Sequence, residues 1–384
     1  MKILFTTESY YPIIDGGAVA QHRLVHALRD RGHDVRVIAP GSTSQSKEIQ
    51  QECCPVYRPF SMKLPFYMKG KYPFSPYPLP KVKSIIDEFS PDIINACSPY
   101  PISLSAVHVA KRRHIPCVGS IHILPENMLA PILNTLWYDR SVRYTWKFLI
   151  SFYNRMDWAT APTQTGVDMY LAHGLKTPVT AISNGVNTSV FHPRDDGDDL
   201  RQRLGVPKKP LVLYAGRMSQ EKNVEVLVKA IPGVLQHLDA HFLFCGSGSL
   251  KNKMMDLAKS LGVYDHTTFI DFLAEKDYPL VYGLPDVFVM PAESELQSIV
   301  TLEAVTSGVP VVVVNKGAVR ELALNGTGFL FEPQNSEMLG SQLVKILSDK
   351  ALRQTMKQKC IESSKAHAMT MVAEQFEQIY TKIM

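Results

Sequence analysis

Val287-Phe288-Val289-Met290-Pro291-Ala292-Glu293-Ser294-Glu295-Leu296-Gln297-Ser298-Ile299-Val300-Thr301-Leu302-Glu303-Ala304-Val305-Thr306-Ser307-Gly308-Val309-Pro310-Val311-Val312-Val313-Val314 holds the fold in miniature. An apolar run at 287–290 leads into a polar loop. A helical pattern follows over 299–307, then a β-branched run over 309–314. Neither run alternates with polar residues, so each predicts a strand covered on both faces. Strand, helix and strand in that order predict a parallel α/β sheet.

The same alternation extends in both directions. Upstream, 211–214, 241–245 and 268–270 read as strands, with helices at 223–236 and 250–261. Downstream, helices are predicted over 337–348 and 351–364. The N-terminal part repeats the scheme, with strands at 2–6, 35–39, 93–96 and 117–121. Its helices are predicted at 20–31, 81–89 and 103–113, the first closed by Gly32 at its C′ position. Between the halves the composition changes. Asn184-Gly185, the acidic run Arg194-Asp195-Asp196-Gly197-Asp198-Asp199, and Pro207 and Pro210 mark a crossing. The predicted units are 1–180 and 181–366. A terminal amphipathic segment, 367–384, is expected to return to the first unit as a helix. Ligands of such sheets bind at the carboxyl ends of the strands.

Composition narrows the function. A chain of 384 residues with 45% hydrophobic and 20% charged residues suits about two globular domains and excludes a disordered, collagen-like or coiled-coil protein. A net charge of +5 is too small to indicate nucleic acid but suits an anionic ligand or an anionic lipid surface. The six cysteines form no C-x-x-C pair and have no histidine cluster at zinc spacing, so they are expected to be reduced thiols. No signal-peptide pattern and no apolar run long enough to span a membrane are read. The expected location is the cytoplasm, in solution or peripherally on the inner face of the membrane.

Three features carry chemistry. In the opening stretch, Glu295 precedes the helix and Glu303 lies about two turns inside it. Backbone N–H groups at Gln297, Ser298, Ile299 and Val300 face a helix entry, where an anion is favoured. A carboxylate inside the helix can accept from two vicinal hydroxyls of a ribose. The same spacing also fits a helix with merely solvated glutamates. In Tyr214-Ala215-Gly216-Arg217-Met218-Ser219-Gln220-Glu221-Lys222, two cations follow a strand end, which suits a diphosphate. They also fit a solvated pair beside Glu221. The third feature, Gly246-Ser247-Gly248 after a strand, is by itself a common turn.

In order and spacing these features resemble the retaining glycosyltransferases of family 4, over nearly the whole chain. Gly16-Gly17, His122, Asn184-Gly185-Val186-Asn187, Gly216-Arg217 with Lys222, Gly246-Ser247-Gly248 and the pair Glu295 and Glu303 carry the resemblance. It implies the GT-B fold, two Rossmann-like domains facing each other across a cleft. It implies transfer of a sugar, with retention, from a nucleotide-diphosphate sugar to a hydroxyl of a glycolipid or surface-polysaccharide precursor. A UDP-sugar is favoured over GDP-mannose. The implied catalytic residues are His122, Arg217, Lys222 and Glu295. The implied donor-binding residues are Gly16, Gly17, Arg217, Lys222, Gly246, Gln297, Ser298, Ile299, Val300 and Glu303. Arg217 and Lys222 would neutralise the diphosphate, Glu303 would hold the ribose and Glu295 would face the donor sugar. Gly16 and Gly17 would bring a loop close to the β-phosphate, and His122 would sit near sugar and acceptor. No cofactor and no essential metal are implied. Relatives often carry a glycine where Ser298 stands and an aspartate where Asn187 stands, so donor identity does not transfer.

Asp196-Gly197-Asp198 has the letters of a metal motif but lies in an acidic loop with no strand before it. Two basic, aromatic stretches, 63–83 and 140–158, suit an anionic bilayer surface. In the second, Val142, Trp146, Leu149 and Tyr153 recur as a buried helix face would. Two other functions fit parts of this pattern. One is a non-hydrolysing nucleotide-sugar epimerase, and the other is a sugar-nucleotide-binding protein without catalysis.

Overall fold

The computed structural model describes residues 1–13, 15–41, 50–51, 53–63, 73–126, 138–271 and 273–384. These form two compact units, Met1–Gly185 together with Met369–Met384, and Val186–Ala368.

The first unit is built on a sheet in the order Val179–Ala181, Trp158–Ala161, Cys117–Ser120, Ile93–Ala96, Lys2–Thr6, Asp34–Ile38, Pro55–Tyr57, Gln50–Gln51. All neighbours are parallel except the last pair. Chain order therefore reverses between Lys2–Thr6 and Ile93–Ala96. The central strands are buried on both faces, which is why their sequences read as continuous apolar runs. Leu24, Val25 and Leu28 of the helix Gly16–Asp30 cover one face together with Val372, Ala373, Phe376, Ile379 and Tyr380 of the last helix, Met369–Ile383. Asn95 Nδ2 donates to Tyr380 Oη at 2.7 Å, tying that helix to a central strand. Arg31 and His33 hold its Glu377 at 2.6–2.7 Å.

The second unit has six parallel strands in the order Thr267–Ile270, His241–Cys245, Leu211–Ala215, Val287–Met290, Val311–Val314, Gly328–Phe331. Numbered along the chain within the unit, that order is 3-2-1-4-5-6, the doubly wound order of nucleotide-binding sheets. It reverses between Leu211–Ala215 and Val287–Met290, which pair through Val212↔Val287 and Leu213↔Phe288. The unit's α-helices are Asp198–Arg203, which starts inside the acidic run expected to be a loop, Val224–Leu235, Lys251–Ser260, Ile299–Thr306, Ser336–Ser348 and Lys350–Ser364.

Most predicted elements lie within two residues of their expected ends. Others were not read from the sequence: the strands Pro55–Tyr57, Trp158–Ala161, Val179–Ala181 and Gly328–Phe331, and the helix Gln164–Ala172. Gly328 opens its strand because a Cβ there would overlap the Val311 carbonyl of the neighbouring strand. The strand expected over 309–314 starts at Val311, since Pro310 has no N–H to give the ladder. The first helix starts earlier than predicted. Asp15 caps it, its Oδ1 accepting from Ala18 N at 2.8 Å, so Gly16 and Gly17 are helical rather than part of a loop.

Candidate functional site

Because all six strands of the second unit are parallel, the segments leaving their carboxyl ends emerge on one edge of the sheet. At the reversal point the loops after Ala215 and Met290 are neighbours. These two loops contain Arg217, Lys222 and Glu295.

The Gly216 loop is locked to the Gly246 turn. Met218 N donates to Ser247 O at 2.8 Å, and Leu250 N donates to Met218 O at 3.0 Å. Tyr214 Oη donates to Arg217 O at 2.8 Å. Gly246 and Gly248 have φ of +142° and +158°. A Cβ on Gly246 would overlap Gly216 O, and one on Gly248 would overlap Met218 O. Both positions therefore need glycine, for backbone approach as well as for conformation. Arg217 is 53% exposed on its side chain, with Nη2 at 3.5 Å from Glu221. Lys222 Nζ donates to Glu295 Oε1, and both side chains are largely buried. An ammonium and a carboxylate are thus fixed side by side at the sheet edge.

Glu293, two residues before Glu295, accepts from Asn223 Nδ2 at 3.2 Å, Lys316 Nζ at 2.7 Å and Gln334 Nε2 at 2.9 Å. Burial pushes its pKa up, but the Lys316 and Gln334 hydrogen bonds outweigh that and leave it below the usual carboxylate range. These contacts pin the loop that presents Glu295.

The helix Ile299–Thr306 is capped by Ser298, whose Oγ accepts from Thr301 N at 3.4 Å and Thr301 Oγ1 at 2.8 Å. Ile299 and Val300 form its first turn, where a helix offers their N–H groups no internal acceptor. Ser298 is extended, with φ −76° and ψ 109°, a conformation that needs no glycine. Glu303 lies about one turn inside the helix, not two. It is 2% exposed, and its Oε2 accepts from Tyr278 Oη at 2.7 Å and Tyr282 Oη at 2.9 Å. Neither tyrosine was singled out in the sequence. Beside the Gly246 turn, Phe269 stacks on Phe244 at 4.5 Å. Residue 272, close to this stack in the chain, lies outside the described residues.

In the first unit, Gly16, Gly17 and His122 are brought together. The Cβ direction of Gly17 meets Asp15 Oδ1 at 3.4 Å and His122 Cβ at 3.6 Å. Neither glycine has positive φ, so what the pair presents is the start of a helix. Burial pushes the His122 pKa down to about 4 against the opposing charge of Asp15, so its ring is neutral at pH 7. A small cavity beside it is lined by Gln21, Ser120, Thr160 and Ser183.

Glu8 was not anticipated. It follows the first strand at the reversal point of its sheet, and Ile102 N donates to its Oε1 at 2.7 Å. Its Oε2 is buried with no hydrogen-bond partner. Burial raises its pKa to about 8, with the Ile102 bond opposing, so it is a neutral acid at pH 7. The visible signal was a glutamate directly after a strand.

The Asp196-Gly197-Asp198 letters do not form a site. Asp196 approaches Arg194 at 3.8 Å, Asp198 approaches Lys208 at 3.4 Å, and no metal-binding cluster occurs among the described residues. All six cysteines are free. In the 140–158 stretch, Trp146, Leu149 and Tyr153 of the expected buried face are buried, whereas Val142 is only half-buried. The opposite face shows Arg140, Arg143, Tyr144, Lys147 and Phe148, with Tyr144 63% and Phe148 45% exposed. In the 63–83 stretch, Phe66, Tyr67, Lys69, Lys71 and Tyr72 lie outside the described residues. No helix among the described residues is long and apolar enough to cross a membrane.

Comparison with known proteins gives a consistent result. Residues 14–190 match the family model described as Glycosyltransferase Family 4, and residues 196–363 match Glycosyl transferases group 1. The sulfoquinovosyl transferase SQD2 of Arabidopsis thaliana is 30% identical over 360 residues, which is 91% of this chain and 67% of that protein. A GDP-mannose-dependent alpha-mannosyltransferase of Corynebacterium glutamicum is 25% identical, covering 86% of this chain and 76% of its own. The structure of HepE from Anabaena in complex with UDP superposes over 100% of both chains, with a TM-score of 0.80 at 20% identity.

Gly246→Ala is expected to cost on the order of 2–4 kcal/mol in chemical denaturation, because the overlap with Gly216 O is with backbone and cannot rotate away. Glu8 makes stability depend on pH. Its folded pKa of about 8 lies above the ordinary glutamate value of 4.5, so the folded state holds an extra proton between those values. Stability contributed by this group falls as pH rises from 4.5 towards 8. Glu8→Gln should flatten that slope in denaturation curves across the window; an unchanged slope would show that Glu8 is not a buried neutral acid.

Proposed function

The chain belongs to the family 4, group 1 glycosyltransferases, with two parallel-sheet α/β domains of the GT-B fold, and on that premise we propose how its residues divide the work. It is a nucleotide-sugar-dependent glycosyltransferase. The proposed reaction moves a sugar from a UDP-sugar, with retention, to a hydroxyl of a glycolipid or surface-polysaccharide precursor. The observation that carries this reading is the pairing of Lys222 with Glu295 at the point where strand order reverses.

Arg217 and Lys222 take the diphosphate. As the glycosidic bond breaks, negative charge builds on the β-phosphate, and two fixed cations stabilise that charge more than they stabilise the ground state. The exposed fork of Arg217 can reach two oxygens, and Lys222 acts as a point charge. Glu295 accepts from hydroxyls of the donor sugar while it orients Lys222. Its carboxylate is committed to the lysine, which suits a binding role rather than a covalent nucleophile. Retention then follows a front-face course in which the leaving phosphate takes the acceptor's proton.

Glu303 holds the ribose. The N–H groups of Ile299 and Val300, with Gln297 and Ser298 before them, face sugar or phosphate oxygens. Gly246 shapes the turn beside the diphosphate. In the first unit, Gly16 and Gly17 present amides at a helix start, and neutral His122 serves the sugar and acceptor as a hydrogen-bond partner. No metal is proposed as essential, because two side-chain cations supply the charge. A solved fold neighbour holding UDP supports the UDP-sugar preference, and the GDP-mannose-dependent relative makes GDP the second donor class to test.

The exposed face formed by Arg140, Arg143, Tyr144, Lys147 and Phe148 supports peripheral attachment to an anionic membrane, where a lipid acceptor resides. The protein should pellet with anionic vesicles and be released by salt; failure to bind even at low ionic strength would remove the membrane from the account.

Arg217→Ala and Lys222→Ala should each lower kcat by about 10²–10³. Glu303→Ala should act mainly on KM for the donor. Transfer should persist in EDTA. Native rates in the Arg217 and Lys222 variants would show that the diphosphate binds elsewhere.

A further inference from the structure

Glu303 is a carboxylate almost wholly removed from water, and such a group is tolerated only where donors replace its hydration. Tyr278 and Tyr282 supply two such donors. Both hydroxyls close on the same oxygen, Oε2, at 2.7 and 2.9 Å, and they stand 2.9 Å from each other. Burial raises both phenol pKa values well above the ordinary range, so both remain protonated donors at any working pH.

The rings are held as firmly as the hydroxyls. Asp277 accepts from Arg203 Nη1 and Nη2 at 3.0 and 2.9 Å, which fixes the turn leading into Tyr278. Phe191 packs edge-on against both rings, with centroids at 6.1 and 5.7 Å. Tyr282 belongs to the short helix Pro279–Gly283, whose proline start presets the backbone. More structure than charge solvation requires is therefore spent on a single carboxylate oxygen.

Resting on the reading of Glu303 as the ribose acceptor, we propose that Tyr278 and Tyr282 are positioning residues that clamp Oε2 and hold the carboxylate in one orientation for the ribose hydroxyls. An unclamped carboxylate must lose rotational freedom when the diol binds; a clamped one has already lost it, and the saving appears as affinity. The clamp also sets specificity. With its plane fixed, the carboxylate rewards a 2′-hydroxyl at one position more than a freely rotating carboxylate would. Neither phenol is assigned contact with the reacting atoms, so the clamp acts on donor binding and not on the chemical step.

The test is titration of native protein, Tyr278→Phe, Tyr282→Phe, the double phenylalanine variant and Glu303→Ala with UDP against 2′-deoxy-UDP. GDP against 2′-deoxy-GDP is run in parallel. Phenylalanine keeps the ring packing, and thermal unfolding verifies that each variant is folded. The double variant should bind the ribonucleotide about 10-fold more weakly and lose most of its preference over the deoxy form, with each single variant in between. Donor KM should rise to match while kcat stays within about 2-fold. If Glu303→Ala loses the ribose preference but the double variant keeps native affinity and preference, the clamp is wrong and the ribose reading stands. If Glu303→Ala keeps the native preference, the ribose reading fails and the clamp falls with it.

Discussion

Everything proposed for the donor site depends on one topological constraint, the reversal of strand order beside Leu211–Ala215. Parallel strands cannot be joined by tight hairpins, so each connection leaves from the carboxyl edge and crosses a face. Where the order reverses, successive connections cross opposite faces, and it is at such points that open α/β sheets bind their ligands. The hydrogen-bonded register that aligns Val212 with Val287 thereby brings Lys222 to Glu295 across 73 residues of chain. The glycines at 246 and 248 extend the same constraint, since only residues without Cβ let the neighbouring turn lie against the Gly216 loop.

Charge at this edge is handled in three ways that differ in their physical cost. Arg217 stays exposed, where its charge is inexpensive to maintain. Lys222 and Glu295 leave most of their water and compensate each other. Glu303 goes furthest, 2% exposed, with two phenolic hydroxyls donating to its Oε2. The gradation matches the proposed ligand. Diphosphate is strongly charged and benefits from accessible cations, whereas ribose is neutral and is recognised best by a dry, fixed acceptor.

Much of this was legible in the sequence because sheets buried on both faces produce uninterrupted apolar runs. Val311–Val314 and Leu211–Ala215 are wholly buried and are also among the plainest runs to read. Arg217, Lys222, Glu295 and Glu303 were visible because each stands just past a strand or on the helix that follows one. What escaped depends on partners distant in the chain. Tyr278 and Tyr282 lie 25 and 21 residues before Glu303, in a short helix that has no apolar period. The neutrality of Glu8 depends on burial, which the residues around it do not signal, and persists against the opposing hydrogen bond from Ile102 N, 94 residues away. Gly16 and Gly17 read as a loop because glycine is a poor helix former, and the Asp15 cap overrides that preference. The depth of Glu303 was overestimated even though the helix start at Ile299 was read correctly, since four residues past the start make about one turn.

The most direct test of the donor site is amide hydrogen exchange of the unmodified protein with and without UDP, and with and without GDP. Ligand-specific slowing reports the segments whose opening the ligand opposes. The account predicts that one of the two nucleotides slows exchange at 216–222 and 296–303, the two segments that flank the order reversal. Binding that leaves both segments unchanged, or protects strands elsewhere, would contradict it.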